Sequence, residues 1–121
     1  MSIPNEALQK LLQEIEQKAA FSQQQMTIVK AQMTAKAREQ RMLQLTSSEV
    51  ESLPADTNVY EGVGKMFVFS PQDEVKQRLA AEAEELKSDT SNLEKKLHYL
   101  ETTYKNSRDN LEQLFSKAGP R

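Results

Sequence analysis

Apolar residues recur at alternating intervals of four and three through two long stretches of the chain. In the first, positions 8, 12, 15, 19, 22, 26, 29, 33, 36, 40 and 43 include Leu8, Leu12, Ile15, Ala19, Met26, Val29, Met33 and Leu43. In the second, positions 79, 83, 86, 90, 93, 97, 100, 104, 107, 111 and 114 include Leu79, Ala83, Leu86, Leu93, Leu97, Leu100, Tyr104, Leu111 and Leu114. A repeat averaging about 3.5 residues keeps one stripe of a helix turned toward a partner, so both stretches read as coiled-coil helices. Neither Gly nor Pro interrupts residues 5–53, Pro54 and Pro71 bracket a short middle, and the next breaker is Gly119-Pro120. Within a single domain spanning residues 1–121, these marks predict a helix over 4–45, a connector over 46–70 and a second helix over 71–118.

The two seams are equally long, which suits an antiparallel pair joined by the connector. Pairing Leu8 with Leu114 and Leu43 with Leu79 sets Ser22 against Leu100, Ser107 against Ile15, Thr90 against Met33 and Lys36 against Leu86. Only Gln40, opposite Ala83, lacks a large apolar partner. Charge agrees with this direction. Lys30, Lys36, Arg38 and Arg41 crowd the end of the first helix, and Asp73, Glu74, Glu82, Glu84 and Glu85 crowd the start of the second. Antiparallel pairing sets these opposite charges side by side, whereas parallel self-pairing sets like against like. Ser70-Pro71-Gln72-Asp73 reads as a helix start, with a capping hydroxyl at Ser70 and Pro71 in the first helical position. Gly119-Pro120 reads as a stop, and Ser48-Glu49-Val50-Glu51 as one short helical turn ending at Leu53-Pro54.

Between the helices the pattern changes. Residues 58–69, Asn58-Val59-Tyr60-Glu61-Gly62-Val63-Gly64-Lys65-Met66-Phe67-Val68-Phe69, are rich in β-branched and aromatic residues around two glycines, and predict a β-hairpin. Phe67 and Phe69 share one face of the second strand and Met66 and Val68 the other, so both faces are apolar. An isolated hairpin is at best marginal in water, and its open edges beside phenylalanines invite aggregation. The helices are occupied with each other, so strands from other subunits are expected to complete the sheet.

Composition narrows the remaining classes. Of 121 residues, 37% are hydrophobic, below the roughly 45–50% of ordinary globular domains, which points to a core completed with other chains. A net charge of −2 gives no general attraction to nucleic acid or to anionic membrane. The longest strictly apolar run, Met66–Phe69, is far short of a membrane span, and Met1-Ser2-Ile3-Pro4-Asn5-Glu6 does not resemble a secretory signal. A soluble, cytoplasmic protein is expected, with a nuclear role left open. The chain has no cysteine and a single histidine, His98, flanking the seam beside Leu97. Neither a metal site nor a nucleophile–base pair can be assembled from these. Gly62-Val63-Gly64 is followed by strand-like residues rather than a helix start, which argues against a phosphate loop. No enzyme activity and no cofactor are expected.

Tyr60-Glu61-Gly62-Val63-Gly64-Lys65-Met66-Phe67-Val68, between heptad helices of matched length, resembles the beta-type subunits of the prefoldin family. The resemblance covers the whole chain in layout, with its specificity concentrated in residues 58–69. It implies a mainly α fold: a long antiparallel two-helix coiled coil joined by a β-hairpin that contributes strands to an intersubunit β-barrel. It further implies a heterohexamer of two alpha-type and four beta-type chains, an ATP-independent holdase that captures unfolded proteins such as actin and tubulin at its coiled-coil tips and delivers them to the cytosolic chaperonin. The alternative is a structural coiled-coil scaffold or tether that holds no client and whose hairpin simply fixes the oligomeric state.

Carried over by position, the resemblance makes Gly62 and Gly64 the hairpin glycines, where a missing Cβ permits a bulge, a turn or close strand approach. Val59, Tyr60, Val63, Met66, Phe67, Val68 and Phe69 complete the assembly element. In an antiparallel pair the tips are the chain ends, so the candidate client-binding residues are Ile3, Leu8, Leu11, Leu12 and Ile15 with Leu111, Leu114 and Phe115. Leu11 and Phe115 lie beside the seam rather than in it, and weak contacts with non-native chains call for such accessible apolar surface.

Overall fold

A computed structural model describes residues 5–118 as α1 (Asn5–Glu51), β1 (Val59–Val63), β2 (Met66–Ser70) and α2 (Gln72–Ala118). The chain groups into two compact units. One holds α1 up to Met33 and α2 from Leu93; the other, Thr34–Asn92, holds the rest of both helices and the hairpin.

In the first unit, burial follows the predicted seam. Leu8, Leu12, Ile15, Ala19, Ser22, Met26, Val29 and Met33 on α1 are buried or half-buried, as are Leu93, Leu97, Leu100, Tyr104, Ser107, Leu111 and Leu114 on α2. Val29 is 0% exposed and anchors this stretch. Ser22 and Ser107 are also buried, which a coil seam accommodates because their side chains are small.

In the second unit, Val50, Val75 and Leu79 form a buried cluster against which Leu43 and Val59 pack. Lys36 reaches Asp89 at 3.5 Å. Residue 36 therefore meets 89 while 43 and 50 meet 79 and 75, so the helices run antiparallel here, as the charge pattern predicts. Lys36 occupies a seam position beside Leu86 and extends its ammonium outward to Asp89 and, at 3.9 Å, to Glu39, in the manner of a long cationic side chain that buries only its stem. Both partners of the Lys36–Asp89 pair are partly exposed, so it contributes about 0.2–1 kcal/mol and helps set orientation more than stability. Gln40, the seam position without a large partner, is exposed.

Two boundaries differ from expectation. The predicted connector begins at residue 46, yet α1 continues to Glu51, absorbing the short turn expected at Ser48–Glu51. The seam continues with it, through Ser47 and Val50 at the same four-three spacing. The predicted connector takes in Thr46, but Thr46 Oγ1 donates to the Met42 carbonyl at 2.9 Å, so its hydroxyl is satisfied without leaving the helix. Beyond Glu51, the Leu53 N–H turns back to the Val50 carbonyl and the Thr57 N–H closes a turn on the Pro54 carbonyl at 3.0 Å. At the other boundary, Ser70 is the last residue of β2, and the Pro71 carbonyl accepts the first helical bond, from Val75 N–H at 3.1 Å. Pro71 thus takes the cap position expected for Ser70, and α2 starts one residue later than predicted. The predicted Gly119-Pro120 stop lies outside the described residues.

The seam supports two predictions. Val29→Ala removes two methyl groups from a fully buried site and is expected to lower stability by about 2 kcal/mol, while Phe21→Ala, on an exposed face, stays within about 0.5 kcal/mol. Thr90 carries a buried hydroxyl without a hydrogen-bond partner, so the isosteric Thr90→Val is expected to stabilise the protein by about 1 kcal/mol. Urea unfolding of the full-length variants, followed by helical circular dichroism, measures both; equal midpoints for all three variants would contradict this account of the seam.

Candidate functional site

The two strands pair in an unbroken antiparallel register, Val59 with Ser70, Tyr60 with Phe69, Glu61 with Val68, Gly62 with Phe67 and Val63 with Met66. No bulge occurs in this ladder. Gly64 sits at a φ of 63° and is the first of two loop residues, while Lys65 has ordinary negative φ. Such a loop matches the twist of its flanking strands only with a residue tolerant of positive φ in first place, which accounts for Gly64. Gly62 has a different setting: a Cβ there would meet Phe67 Cε1 at 3.8 Å, an ordinary contact, so the turn at Gly64 is the position that needs glycine.

Strand alternation divides the hairpin into two faces. Val59, Glu61 and Val63 share one face with Met66, Val68 and Ser70; Tyr60 and Gly62 share the other with Phe67 and Phe69. The first face is fastened at its base. Val59 packs on the Val50–Val75–Leu79 cluster, and the Glu61 carboxylate pairs with the Arg78 guanidinium on α2. Hydrogen bonds from Arg78 and from the Ser70 hydroxyl hold the Glu61 carboxyl below the usual carboxylate range, and the same pairing raises Arg78. Toward the turn this face is uncovered, with Met66 67% exposed and Val63 and Val68 also open.

The second face has no covering element within this unit. Phe67 is 77% exposed, and Tyr60 and Phe69 are exposed beside it. The Tyr60 and Phe69 rings meet edge to face across the strands, with centroids 6.1 Å apart and planes at 70°, an arrangement that orders the aromatic surface without burying it. The sheet has two strands and therefore two open edges. All nine residues expected to form the assembly element lie on these strands and their turn. Of them, Val59 is turned into the helical cluster, while Tyr60, Val63, Met66, Phe67, Val68 and Phe69 are exposed. Glu61 is a hairpin residue that sequence reasoning left without a role; its place on the same face as Val59 was the available signal.

A further fastening lies in the connector. Gln72 Nε2 donates to the carbonyls of Pro54 and Thr57, each at 2.8 Å. Nothing in the local sequence pattern marks Gln72 for this task, because its partners lie fifteen and eighteen residues away.

The candidate client-binding residues belong to the first unit. Leu8, Leu12, Ile15 and Leu114 are half-buried in the seam and Leu111 is buried, so their apolar surface is engaged in helix packing. Leu11, 38% exposed, and Phe115, 60% exposed, stand off the seam. Ile3 lies outside the described residues. Among the described residues no group of His, Cys, Asp and Glu is placed to hold a metal ion, and no helix is long and apolar enough to cross a membrane.

Comparison with known proteins places this geometry in context. A family model described as "Prefoldin subunit" matches residues 13–118. The chain is 36% identical to "Probable prefoldin subunit 1" of Schizosaccharomyces pombe over 107 residues, covering 88% of this chain and 96% of that protein. It is 30% identical to "Prefoldin subunit 1" of Mus musculus, over 88% of each chain. Among solved structures, the prefoldin beta subunit from Thermococcus strain KS-1 superposes with a TM-score of 0.79 at 26% identity, covering 99% of this chain and 98% of that one.

The Glu61–Arg78 fastening predicts a pH dependence whose sign follows from the lowered pKa. A carboxyl that ionises more readily in the folded state stabilises the fold fully above the ordinary carboxylate range, and the contribution fades as pH falls through the lowered value. Carbon-detected NMR is expected to find Glu61 titrating below the chain's unpaired glutamates, with the hairpin amide shifts following the same curve. Glu61→Gln is expected to remove that transition. A Glu61 that titrates together with the other glutamates would show that the fastening is absent in solution.

Proposed function

This chain belongs to the prefoldin subunit family, and from that premise we propose that it works as an ATP-independent holdase subunit, assembled through its hairpin and holding unfolded proteins on its helices. Members of this family are components of chaperone complexes and join other prefoldin subunits; they are not enzymes. The observation that carries the proposal is the hairpin, where six large apolar side chains stand exposed on two strands with open edges. An apolar patch of this kind marks an interaction surface, and unpaired strand edges are satisfied by strands from neighbouring chains.

In the proposed assembly, Tyr60, Phe67 and Phe69 pack inside a β-barrel shared with two alpha-type and further beta-type subunits. Met66, Val63 and Val68 are covered from the opposite side. The clients are non-native chains, with actin and tubulin the expected examples, and the recipient is the cytosolic chaperonin, which places the protein in the cytoplasm. Leu11 and Phe115 supply accessible apolar contacts, and the seam leucines around them join when an end of the helix pair frays. The contacts must be weak and adaptable, because a client without fixed shape offers no complementary pocket and must later be released.

Two experiments test the proposal. Phe67→Asp with Phe69→Asp places charges where the barrel interior is expected, so co-expression with the partner subunits is expected to leave this variant out of the complex while its helical circular dichroism is retained. Normal co-purification would refute assembly through this face. In complexes that do assemble, Leu11→Ser with Phe115→Ser is expected to weaken suppression of aggregation of a denatured client severalfold. Deleting residues 1–12 and 108–121 should weaken it further. Suppression undiminished by either change would favour the scaffold reading.

A further inference from the structure

The connector between α1 and β1 has no regular structure of its own, yet it decides where the hairpin starts. Residues Leu53 to Asn58 run from the end of one helix to the first strand without a glycine to shape them. Within this stretch, the turn from Pro54 to Thr57 is closed by one backbone bond, Thr57 N–H to the Pro54 carbonyl. The carbonyls of both turn residues then accept from the same side-chain nitrogen, Gln72 Nε2. Only the amide nitrogen of a glutamine can face two carbonyls, so the orientation of this side chain is fixed by its partners. Gln72 is also the first residue of α2 and follows the last residue of β2 by two positions. The side chain therefore ties the entry to the hairpin to its exit.

From this geometry we infer that Gln72 is a positioning residue of the assembly element. It touches no partner subunit; it holds the connector so that β1 and β2 leave the helices with the aromatic face of Tyr60, Phe67 and Phe69 set for pairing. The inference rests on the reading of that face as the assembly surface. Association loses less entropy when a binding element is already held in its bound orientation, so loosening the connector is expected to weaken assembly without removing any contact. Two hydrogen bonds from one donor group, the one to Thr57 partly shielded from solvent and the one to Pro54 exposed, restrain a connector of this length.

A role in starting α2 is the competing explanation, and the two roles rank substitutions in opposite order. At the first position of a helix, a carboxylate is favoured by the helix dipole and an ammonium is disfavoured. If Gln72 merely supports the helix start, Gln72→Glu is tolerated best and Gln72→Lys worst. A clamp needs donors. Gln72→Lys retains them and can reach both carbonyls, Gln72→Met keeps the side-chain length without them, and Gln72→Glu sets a carboxylate against two carbonyl oxygens.

The test co-expresses each full-length variant with the partner prefoldin subunits and measures its share of assembled complex by native mass spectrometry, with wild type carrying a short mass-distinguishing tag as competitor. Gln72→Lys is expected to enter within about twofold of wild type, Gln72→Met about tenfold less well, and Gln72→Glu less well still. Hydrogen exchange at the Thr57 amide should accelerate about tenfold in the Met and Glu variants, with helical circular dichroism unchanged. Glu entering as well as Lys, or Met as well as wild type, would overturn the inference. The Phe67→Asp, Phe69→Asp variant run alongside separates the two claims: exclusion of that variant together with full entry of Gln72→Met refutes the clamp alone, whereas its normal entry refutes the assembly reading, and exchange at Thr57 still reports on the clamp.

Discussion

The governing constraint is that two strands cannot satisfy themselves. Each strand of the hairpin pairs along one edge and leaves the other edge open, and the side chains that alternate across it are apolar on both faces. Three or more strands, or a packed helix layer, are needed before such a ribbon is stable alone. The helices cannot fill that role, because the apolar stripe each one possesses is consumed by the seam. What they offer the hairpin is limited to the Val50–Val75–Leu79 cluster beneath Val59 and the guanidinium of Arg78 beside Glu61. Under the proposed function, this shortage is what assembly answers: the sheet is left for other chains to finish.

The contacts that fasten the hairpin and those that it exposes differ in kind. Polar groups do much of the fastening: Glu61 to Arg78, Ser70 to Glu61, and Gln72 to the connector carbonyls. Such bonds add little to stability at a partly exposed site, but they are directional, and direction is what a ribbon needs if it is to meet strands from another chain in register. The exposed side chains are almost entirely apolar, and apolar contact is insensitive to direction but large per unit area. Orientation is thus set within the subunit by polar contacts, and in the proposed assembly affinity is left to the exposed apolar surfaces. Neither type of contact substitutes for the other: an apolar fastening leaves the ribbon free to swivel, and a polar exposed face supplies little driving force.

Most of this arrangement was legible in the sequence, because the features that specify it are periodic. The four-three spacing located most of the buried positions of both helices and marked Gln40, which is exposed, as the weak one, and the opposed charges gave the antiparallel direction that Lys36 and Asp89 display. The change to β-branched and aromatic residues located both strands, and alternation gave their two faces. What escaped was set by single interactions rather than by pattern. Thr46 falls in the predicted connector, yet its hydroxyl bonds back to the Met42 carbonyl within the helix. Ser70 resembles a cap in sequence, but it ends β2, and the Pro71 carbonyl accepts the first helical bond. Gln72 joins residues that no periodicity connects. Where a side chain has several possible partners at different sequence distances, composition and spacing do not choose among them; the folded geometry does.

The same economy bears on how a coiled-coil subunit holds an unfolded chain. A leucine buried in the seam contributes to the helix pair only while it stays buried, and it contributes to a client only when it does not. In the first unit, Leu111 is buried and Leu8, Leu12, Ile15 and Leu114 are half-buried, whereas Leu11 and Phe115 are free of that choice. Helix ends open at lower free energy than helix interiors, since fewer contacts must be broken together. Under the proposed holdase function, the off-seam residues make first contact and the terminal seam residues add surface as the end loosens, so each increment of client binding is offset by lost helix packing. That opposition keeps the grip weak. A holdase that uses no ATP to discharge its client requires weak contacts, because release then depends only on a competing site that binds the client better.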